Sequence, residues 1–253
     1  MQLHWYALMW LLAFVSVYAL CVWRVRMGEV DFSVAFLQDL VFNALFGALL
    51  GGRIGYVLFY NFSFYLENPL LIFSPYDPAV SEWIGIAGMS YHGGALGVAI
   101  AFWWTAKRYK MRAIDIADFV VPAIGLGYFF GRMGNFFNLE LYGRATQQPW
   151  GMYFTDAVLR HPSQIYEAVG EGLLVFAVLW GLRNRKFEAG TLTALYVLMY
   201  GLARFGIEYY RAPDAHIGLF FGIFTMGQIL SVIMIISSIG ALWVLRKKAY
   251  SSR

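Results

Sequence analysis

The chain is poor in charge. Of its 253 residues only 13% are Asp, Glu, Lys or Arg, about half the share of an average soluble domain, while 60% are hydrophobic. That balance excludes an ordinary soluble globule, and it excludes disorder, which requires low hydrophobicity and high net charge. Cysteine is scarcer still: Cys21 stands alone, so no intramolecular disulfide and no cysteine metal cluster is available. The four histidines, His4, His92, His161 and His216, show no ligand spacing, and neither a metal nor another cofactor is implied. Basic residues are absent from one stretch altogether, since residues 61–83 hold Glu67, Asp77 and Glu82 but no Lys or Arg. The net charge of +4 comes instead from short segments between apolar runs, which speaks for a membrane surface and against a nucleic-acid partner.

Aromatic residues and long apolar runs are plentiful. Nine Trp, 17 Tyr and 22 Phe suit the two interfaces of a bilayer, where amphipathic rings collect. Measured against the ~20 apolar residues that cross a bilayer, seven runs qualify: 5–23, 36–60, 84–105, 117–138, 165–182, 190–210 and 223–245. The first is preceded only by Met-Gln-Leu-His and followed, not led, by Arg24 and Arg26, so it reads as a retained helix and not a cleavable signal. The expectation is an all-α polytopic membrane protein with seven transmembrane helices, one integral membrane domain over residues 1–253. The segments after the first, third and fifth runs, with the C-terminal tail, hold 13 of the 19 Lys and Arg. The positive-inside rule then sets the N-terminus outside and the C-terminus in the cytoplasm, with 61–83 and 139–164 on the outer face.

The remaining basic residues are Arg53, Arg132, Arg144, Arg160, Arg204 and Arg211. An ionised group within a bilayer costs at least ~2.5 kcal/mol, so Arg53, Arg132 and Arg204 must face protein, water or a ligand. At ~1.5 Å per residue, Arg132 and Arg204 lie in the outer third, His92 lies near their depth and Tyr6 sits at the outer end of the first run. Tyr200, Arg204, Glu208 and Arg211 fall at spacings of 4, 4 and 3, one helical stripe. It serves either as an ion-paired helix end or as a basic face for a lipid phosphate. Gly47, Gly51, Gly55, Gly93, Gly97, Gly127 and Gly131 have the small-xxx-small spacing of close helix packing; Gly134 and Gly143 are candidates for opening backbone to a ligand.

The densest motif runs Gly131-Arg132-Met133-Gly134-Asn135-Phe136-Phe137-Asn138-Leu139-Glu140-Leu141-Tyr142-Gly143-Arg144. A lipid-facing helix could not carry that mixture. This run resembles the signature of the prolipoprotein diacylglyceryl transferase family. So do His4-Trp5-Tyr6, Ser90-Tyr91-His92-Gly93-Gly94, His161 through Glu167, Tyr200-Gly201 through Arg204 and Glu208 to Asp214, and Met226-Gly227-Gln228, all in the family's order.

The resemblance implies transfer of the sn-1,2-diacylglyceryl group from phosphatidylglycerol to the lipobox cysteine thiol of a prolipoprotein, with release of glycerol phosphate. It implies a multi-pass protein of the bacterial cytoplasmic (inner) membrane whose active site lies near the outer leaflet. Its partners would be phosphatidylglycerol, prolipoprotein signal peptides and membrane lipids. The substrate supplies the thiol, which leaves Cys21 as a small core residue. The catalytic set carried over is His92, Arg132, Arg204, Glu140 and Tyr6. Arg132 and Arg204 would clamp the leaving phosphate through charge-assisted hydrogen bonds. His92, mostly neutral at pH 7, would serve as thiol base or as headgroup ligand. Tyr6 and Asn135 would donate hydrogen bonds to substrate, Glu140 would orient an arginine, and Gly143 would allow close backbone approach. Asn138, Tyr200, Glu208, Arg211 and Arg53 complete the expected substrate-binding set. The rival class is a secondary transporter or channel lined by intramembrane arginines, although such sites lie near the midplane, often between inverted repeats, and neither is evident.

Overall fold

The computed structural model describes residues 5–74, 76–77, 82–83, 88–212, 220 and 223–251. Within them helices occupy every one of the seven apolar runs: α1 (Trp5–Arg26), α2 (Val34–Tyr60), α4 (Tyr91–Arg108), α5 (Ala113–Phe137), the interrupted pair α6 (Ser163–Glu167) and α7 (Leu174–Leu182), α8 (Thr191–Ile207) and α9 (Met226–Ser251). A short α3 (Phe62–Glu67), a 3-10 turn at Pro69–Ile72 and two two-residue strands, β1 (Tyr76–Asp77) and β2 (Glu82–Trp83), lie between α2 and α4. Five stretches are long and apolar enough to cross a membrane: α1, α2, α5, Ser163–Leu182 and Met226–Tyr250. The 18-residue α4 and 17-residue α8 are about 27 and 26 Å long at 1.5 Å per residue, a little under the ~30 Å hydrocarbon layer. The third run was expected from residue 84; its helix begins at Tyr91, behind the N-cap Ser90, whose Oγ accepts from the Gly93 N–H. Residues 84–87 lie outside the described residues.

The chain forms two compact units, Phe32–Ala113 and Met1–Asp31 with Ile114–Arg253. In the first, α2 and α4 are joined through glycines. A Cβ at Gly51 or Gly55 would run into the Gly93 backbone, and one at Gly47 into Gly97. Lipid tails are as apolar as leucine, so a bilayer offers little hydrophobic drive for helix association; backbones brought this close gain dispersion contacts instead. Polar clasps complete the joint: Ser90 N–H donates to Gly52 O (2.8 Å), Asn43 Nδ2 to Thr105 Oγ1 (2.9 Å) and the Tyr109 hydroxyl to Asp39 (2.7 Å). The outward faces keep Phe42, Phe46 and Leu49 exposed, as lipid-facing surfaces should.

In the second unit α5, α7 and α8 enclose Val121, Val175, Leu179 and Leu192, all buried. Gly172 meets the Phe129 backbone, and Gly201 sits against Ser231 and Ile235 of α9. Pro122 interrupts the ladder of α5 without ending the helix, as membrane helices tolerate. Between α6 and α7 the chain winds as a π-helix over Ala168–Leu173, a form frequent at functional sites. Of the basic residues expected between the runs or in the tail, Arg24, Arg26, Lys107, Arg108, Arg246, Lys247 and Lys248 lie inside helices instead, and among these Arg24 is the buried one. Arg24 belongs to the last turn of α1 and is buried, donating from Nε to Glu29 (2.9 Å) and from Nη1 to the Phe119 carbonyl. Glu29 also accepts from Arg183 (3.0 Å) and Asn184 (3.0 Å), which ties the α1 end to the α7 end. Cys21 is buried and free.

Candidate functional site

The second unit gathers charge around one carboxylate. Glu167 ends α6, is fully buried, and pairs with three arginines: Arg204 Nη1 donates to it at 3.2 Å and Arg211 Nη1 at 3.1 Å, while Arg132 Nε lies 2.9 Å away as an ion pair. Three separate parts of the chain supply them: Arg132 stands in the second-last turn of α5, Arg204 in the last turn of α8 and Arg211 just beyond it. Glu171, one turn on from Glu167 in the π segment, is also fully buried and lies 3.8 Å from Arg204 Nη1. Four residues nearly complete one turn of either helix type, so both carboxylates point the same way, toward α8. Glu208 holds Arg204 Nη2 at 2.9 Å and is itself covered by Gly227 of α9, where any Cβ would strike the carboxyl group.

The charges compensate one another, three guanidiniums against three carboxylates. An unpaired buried ion would cost several kcal/mol, and shared hydrogen bonds offset that here. Tyr128 extends the set: its hydroxyl donates to Glu171 and accepts from Arg132 Nε at 2.9 Å, while its ring lies edge-on to Tyr200 and beneath the Arg132 guanidinium. The arginine side chains nevertheless keep 12 to 19% of their surface accessible. Among the described residues Arg132 and Arg211 each have an Nη2 with no acceptor. A buried, rigid set of donors with open edges is what a phosphate site requires.

A second chain of hydrogen bonds leads outward from Arg132. Its Nη1 donates to Asn135 Oδ1 (3.1 Å), and Asn135 Nδ2 donates to Glu140 Oε1 (2.8 Å). Glu140 thus reaches Arg132 through Asn135 and not by direct contact. The backbone around it is strained, since Leu139 and Leu141 both have φ +56°, a conformation that costs a bulky residue about 1–3 kcal/mol. Gln164, fully buried on α6, holds that turn by donating from Nε2 to the Glu140 carbonyl at 2.7 Å.

The remaining expected residues fall in different surroundings. Gly143 lies in a backbone crossing, with its N–H on the His161 carbonyl (2.9 Å) and no room for a Cβ beside Tyr210 and His161; the close approach it permits is to protein. Tyr6 packs its ring against Gly134, the α5 glycine one position before Asn135. Asn138 is exposed and stands outside the network. Arg53 belongs to the other unit, where it is buried and donates to the carbonyls of Ile72, Leu71 and Gly88 and to the Tyr65 hydroxyl. It fastens the turn after α3. His92 lies in the first turn of α4; its side chain is outside the described residues. Sequence reasoning placed Gln164 and Glu167 in a family motif without giving them a role, and passed over Glu171 and Tyr128. The available signal was a pair of carboxylates four residues apart at the head of an apolar run.

The family model described as prolipoprotein diacylglyceryl transferase matches residues 1–244. The chain belongs to the prolipoprotein diacylglyceryl transferase family. Among its relatives is the phosphatidylglycerol–prolipoprotein diacylglyceryl transferase of Chlorobaculum tepidum, 44% identical over 245 residues that cover 95% of this chain and 85% of that one. The proteins of the same description from Acinetobacter baumannii and Nitratidesulfovibrio vulgaris are 44% and 43% identical, covering 99% and 97% of this chain and 91% and 90% of their own. Within this family chain, Arg132, Asn135, Glu140, Arg204, Glu208 and Arg211 form one hydrogen-bonded and ion-paired assembly centred on Glu167.

Proposed function

We propose that the protein transfers the sn-1,2-diacylglyceryl group of phosphatidylglycerol to the lipobox cysteine thiol of prolipoproteins, forming a thioether and releasing glycerol phosphate. The observation that carries this reading is the gathering of Arg132, Arg204 and Arg211 on the buried Glu167, in a chain whose family is named for prolipoprotein diacylglyceryl transfer. The substrate thiolate attacks the lipid carbon that bears the phosphate. A carbon–sulfur bond forms as the carbon–oxygen bond breaks, and the electron pair leaves on the phosphate oxygen. The phosphate gains negative charge in that step, so donors already aimed at it lower the barrier without reorganising. The open edges of Arg132 and Arg211 are the donors this reading uses, with Arg204 held between Glu167, Glu171 and Glu208.

The thiol must lose its proton, and with a pKa near ~8.5 it does so poorly at pH 7 unaided. His92 is the proposed base, with headgroup binding as its other role; Tyr6 and Asn135 are the proposed donors to substrate. Asn135 suits that role because Glu140 and Arg132 fix both ends of its amide. The same reading has seven helices crossing the bacterial inner membrane, the N-terminus outside and the C-terminus cytoplasmic, and the arginine network near the outer leaflet. The split of basic residues supports it. The test is to incubate the purified protein, in vesicles containing phosphatidylglycerol, with a lipobox peptide. A peptide heavier by one diacylglyceryl group at its cysteine is expected. Folded protein that yields no such adduct overturns the reading.

A further inference from the structure

The end of the second unit remote from the arginine network carries a cavity. Thr191, the first residue of α8, lies 13 residues from Arg204, about 20 Å along the helix. Beside it a cavity of about 540 Å³ opens between the α7–α8 connection and α9, with Lys186, Glu188, Thr191 and Arg246 among its lining. Among the described residues neither Lys186 nor Arg246 has an ion-pair partner, and Glu188 has none either, so the cavity is cationic by one charge. Arg185, Lys247 and Lys248 are exposed nearby in sequence and add to the positive field.

Leu245 lines this cavity and also a second one, a slot of about 560 Å³ between α8 and α9. The slot runs from Leu245 to Ser238 along α9, roughly 10 Å, past Ala194, Val197, Gly240 and Ala241. Its hydroxyl groups are already satisfied. Ser237 donates to the Met234 carbonyl, Ser238 to the Ile235 carbonyl and Thr193 to Asp118, so the slot presents hydrocarbon. A Cβ built on Gly240 would meet nothing within 4 Å.

A cationic, hydroxyl-bearing hollow that shares Leu245 with an open apolar groove along a membrane helix has the two-part chemistry of a phospholipid. We propose that this face holds an anionic glycerophospholipid of the surrounding leaflet, its phosphate between Lys186 and Arg246 and one acyl chain in the slot between α8 and α9. Basic pockets between helices at a membrane surface are suited to such headgroups. The site is distinct from the proposed substrate site, because it shares no residue with the arginine network.

Native mass spectrometry of the purified full chain, titrated with phosphatidylserine and with phosphatidylcholine of identical chains, tests this. The wild type is expected to retain one phosphatidylserine at least 10-fold more tightly than phosphatidylcholine. Lys186→Gln with Arg246→Gln should weaken the phosphatidylserine about 30-fold, at about 1 kcal/mol for each basic side chain, and weaken phosphatidylcholine, whose choline cation offsets its phosphate, by less. Gly240→Phe, which fills the slot from an open position, should weaken both lipids, and Ala241→Leu offers a milder second filling. Retained formation of the lipobox-peptide adduct by these variants would show that the fold survives. Equal retention by the wild type and the double variant overturns the proposal. So does a tightly held copy that persists in the double variant and is lost in Arg204→Ala, since that copy sits at the other end of the bundle.

Discussion

Arg53 and the pair Arg132 and Arg204 look alike in the sequence, each a cation in an apolar run, and their surroundings divide them. Arg53 gives its donors to three backbone carbonyls and a tyrosine hydroxyl. Those acceptors are fixed by the chain, and the arginine acts as a staple between α2 and the turn that follows α3. Arg132 and Arg204 are ion-paired with Glu167, Glu171 and Glu208, and Arg132 also donates to Tyr128 and Asn135. Carboxylates hold a guanidinium in place yet leave its outer edge for another anion. A membrane arginine is therefore a pointer to function only after its acceptors are known: Arg53 is spent on backbone carbonyls, Arg24 and Arg183 share the structural carboxylate of Glu29, and Arg132 and Arg211 keep donors free beside theirs.

The largest effect is expected at the centre of the network. Glu167→Gln leaves three guanidiniums short of a counter-charge and should lower stability by about 3–5 kcal/mol, with adduct formation falling more than 100-fold. Thermal unfolding in detergent and the lipobox-peptide assay check the two parts. Full activity with unchanged stability would dissolve the distinction between the two arginine sites.

Arg53→Met should show the opposite profile. Removing its donors strands buried acceptors and should cost about 3 kcal/mol. Turnover per folded molecule, normalised by the soluble fraction in size-exclusion chromatography, should stay within about 3-fold of wild type. A 100-fold loss per folded molecule would return Arg53 to the substrate site where sequence reading had it.

That earlier expectation shows what the sequence carried. Helix positions were legible because a bilayer demands ~20 apolar residues at a stretch, and a helix lies in each of the seven runs. Arg132, Asn135, Glu140, Arg204, Glu208 and Arg211 were legible as polar groups that lipid would not tolerate. The partners were not, for a physical reason. Glu167 meets Arg132, Arg204 and Arg211 across gaps of 35 to 44 residues, contacts set by helix packing and the π turn, and periodicity has no access to either. Gln164 on the Glu140 carbonyl, 24 residues away, is the same case. Arg24 was misassigned because it ends an apolar run, where a loop cation and a helix-end cation look identical.

A third prediction concerns pH. Burial works to raise the Glu29 pKa, but hydrogen bonds from Asn184, Arg183 and Arg24 outweigh it and hold the carboxyl below its usual value. A depressed carboxylate stabilises above its unfolded pKa of ~4.3, and that stabilisation is lost as the pH falls through the lower folded value. Melting temperatures of wild type and Glu29→Gln should therefore differ at pH 7 and at pH 5 alike and converge below pH ~4. A difference that vanished by pH 6 would contradict this pairing.

The smallest effect is expected on the exposed segment after α5. Arg160 donates to Asp156 at 2.7 Å and holds its carboxyl below the usual range, yet both groups face water, where ion pairs contribute little. Asp156→Asn should leave turnover unchanged and only quicken hydrogen exchange at the Met152 and Arg160 amides, which bond each other's carbonyls. Lost turnover would extend the functional network to this segment.

The most direct measurement compares Arg204→Lys with Arg53→Lys for adduct formation per folded molecule. Lysine keeps the charge but lacks the planar fork that Arg204 spreads across Glu167, Glu171 and Glu208 and that sets the whole arginine network. The account predicts at least a 100-fold loss for Arg204→Lys and less than 3-fold for Arg53→Lys. Equal losses, or near-normal turnover by Arg204→Lys, would contradict it.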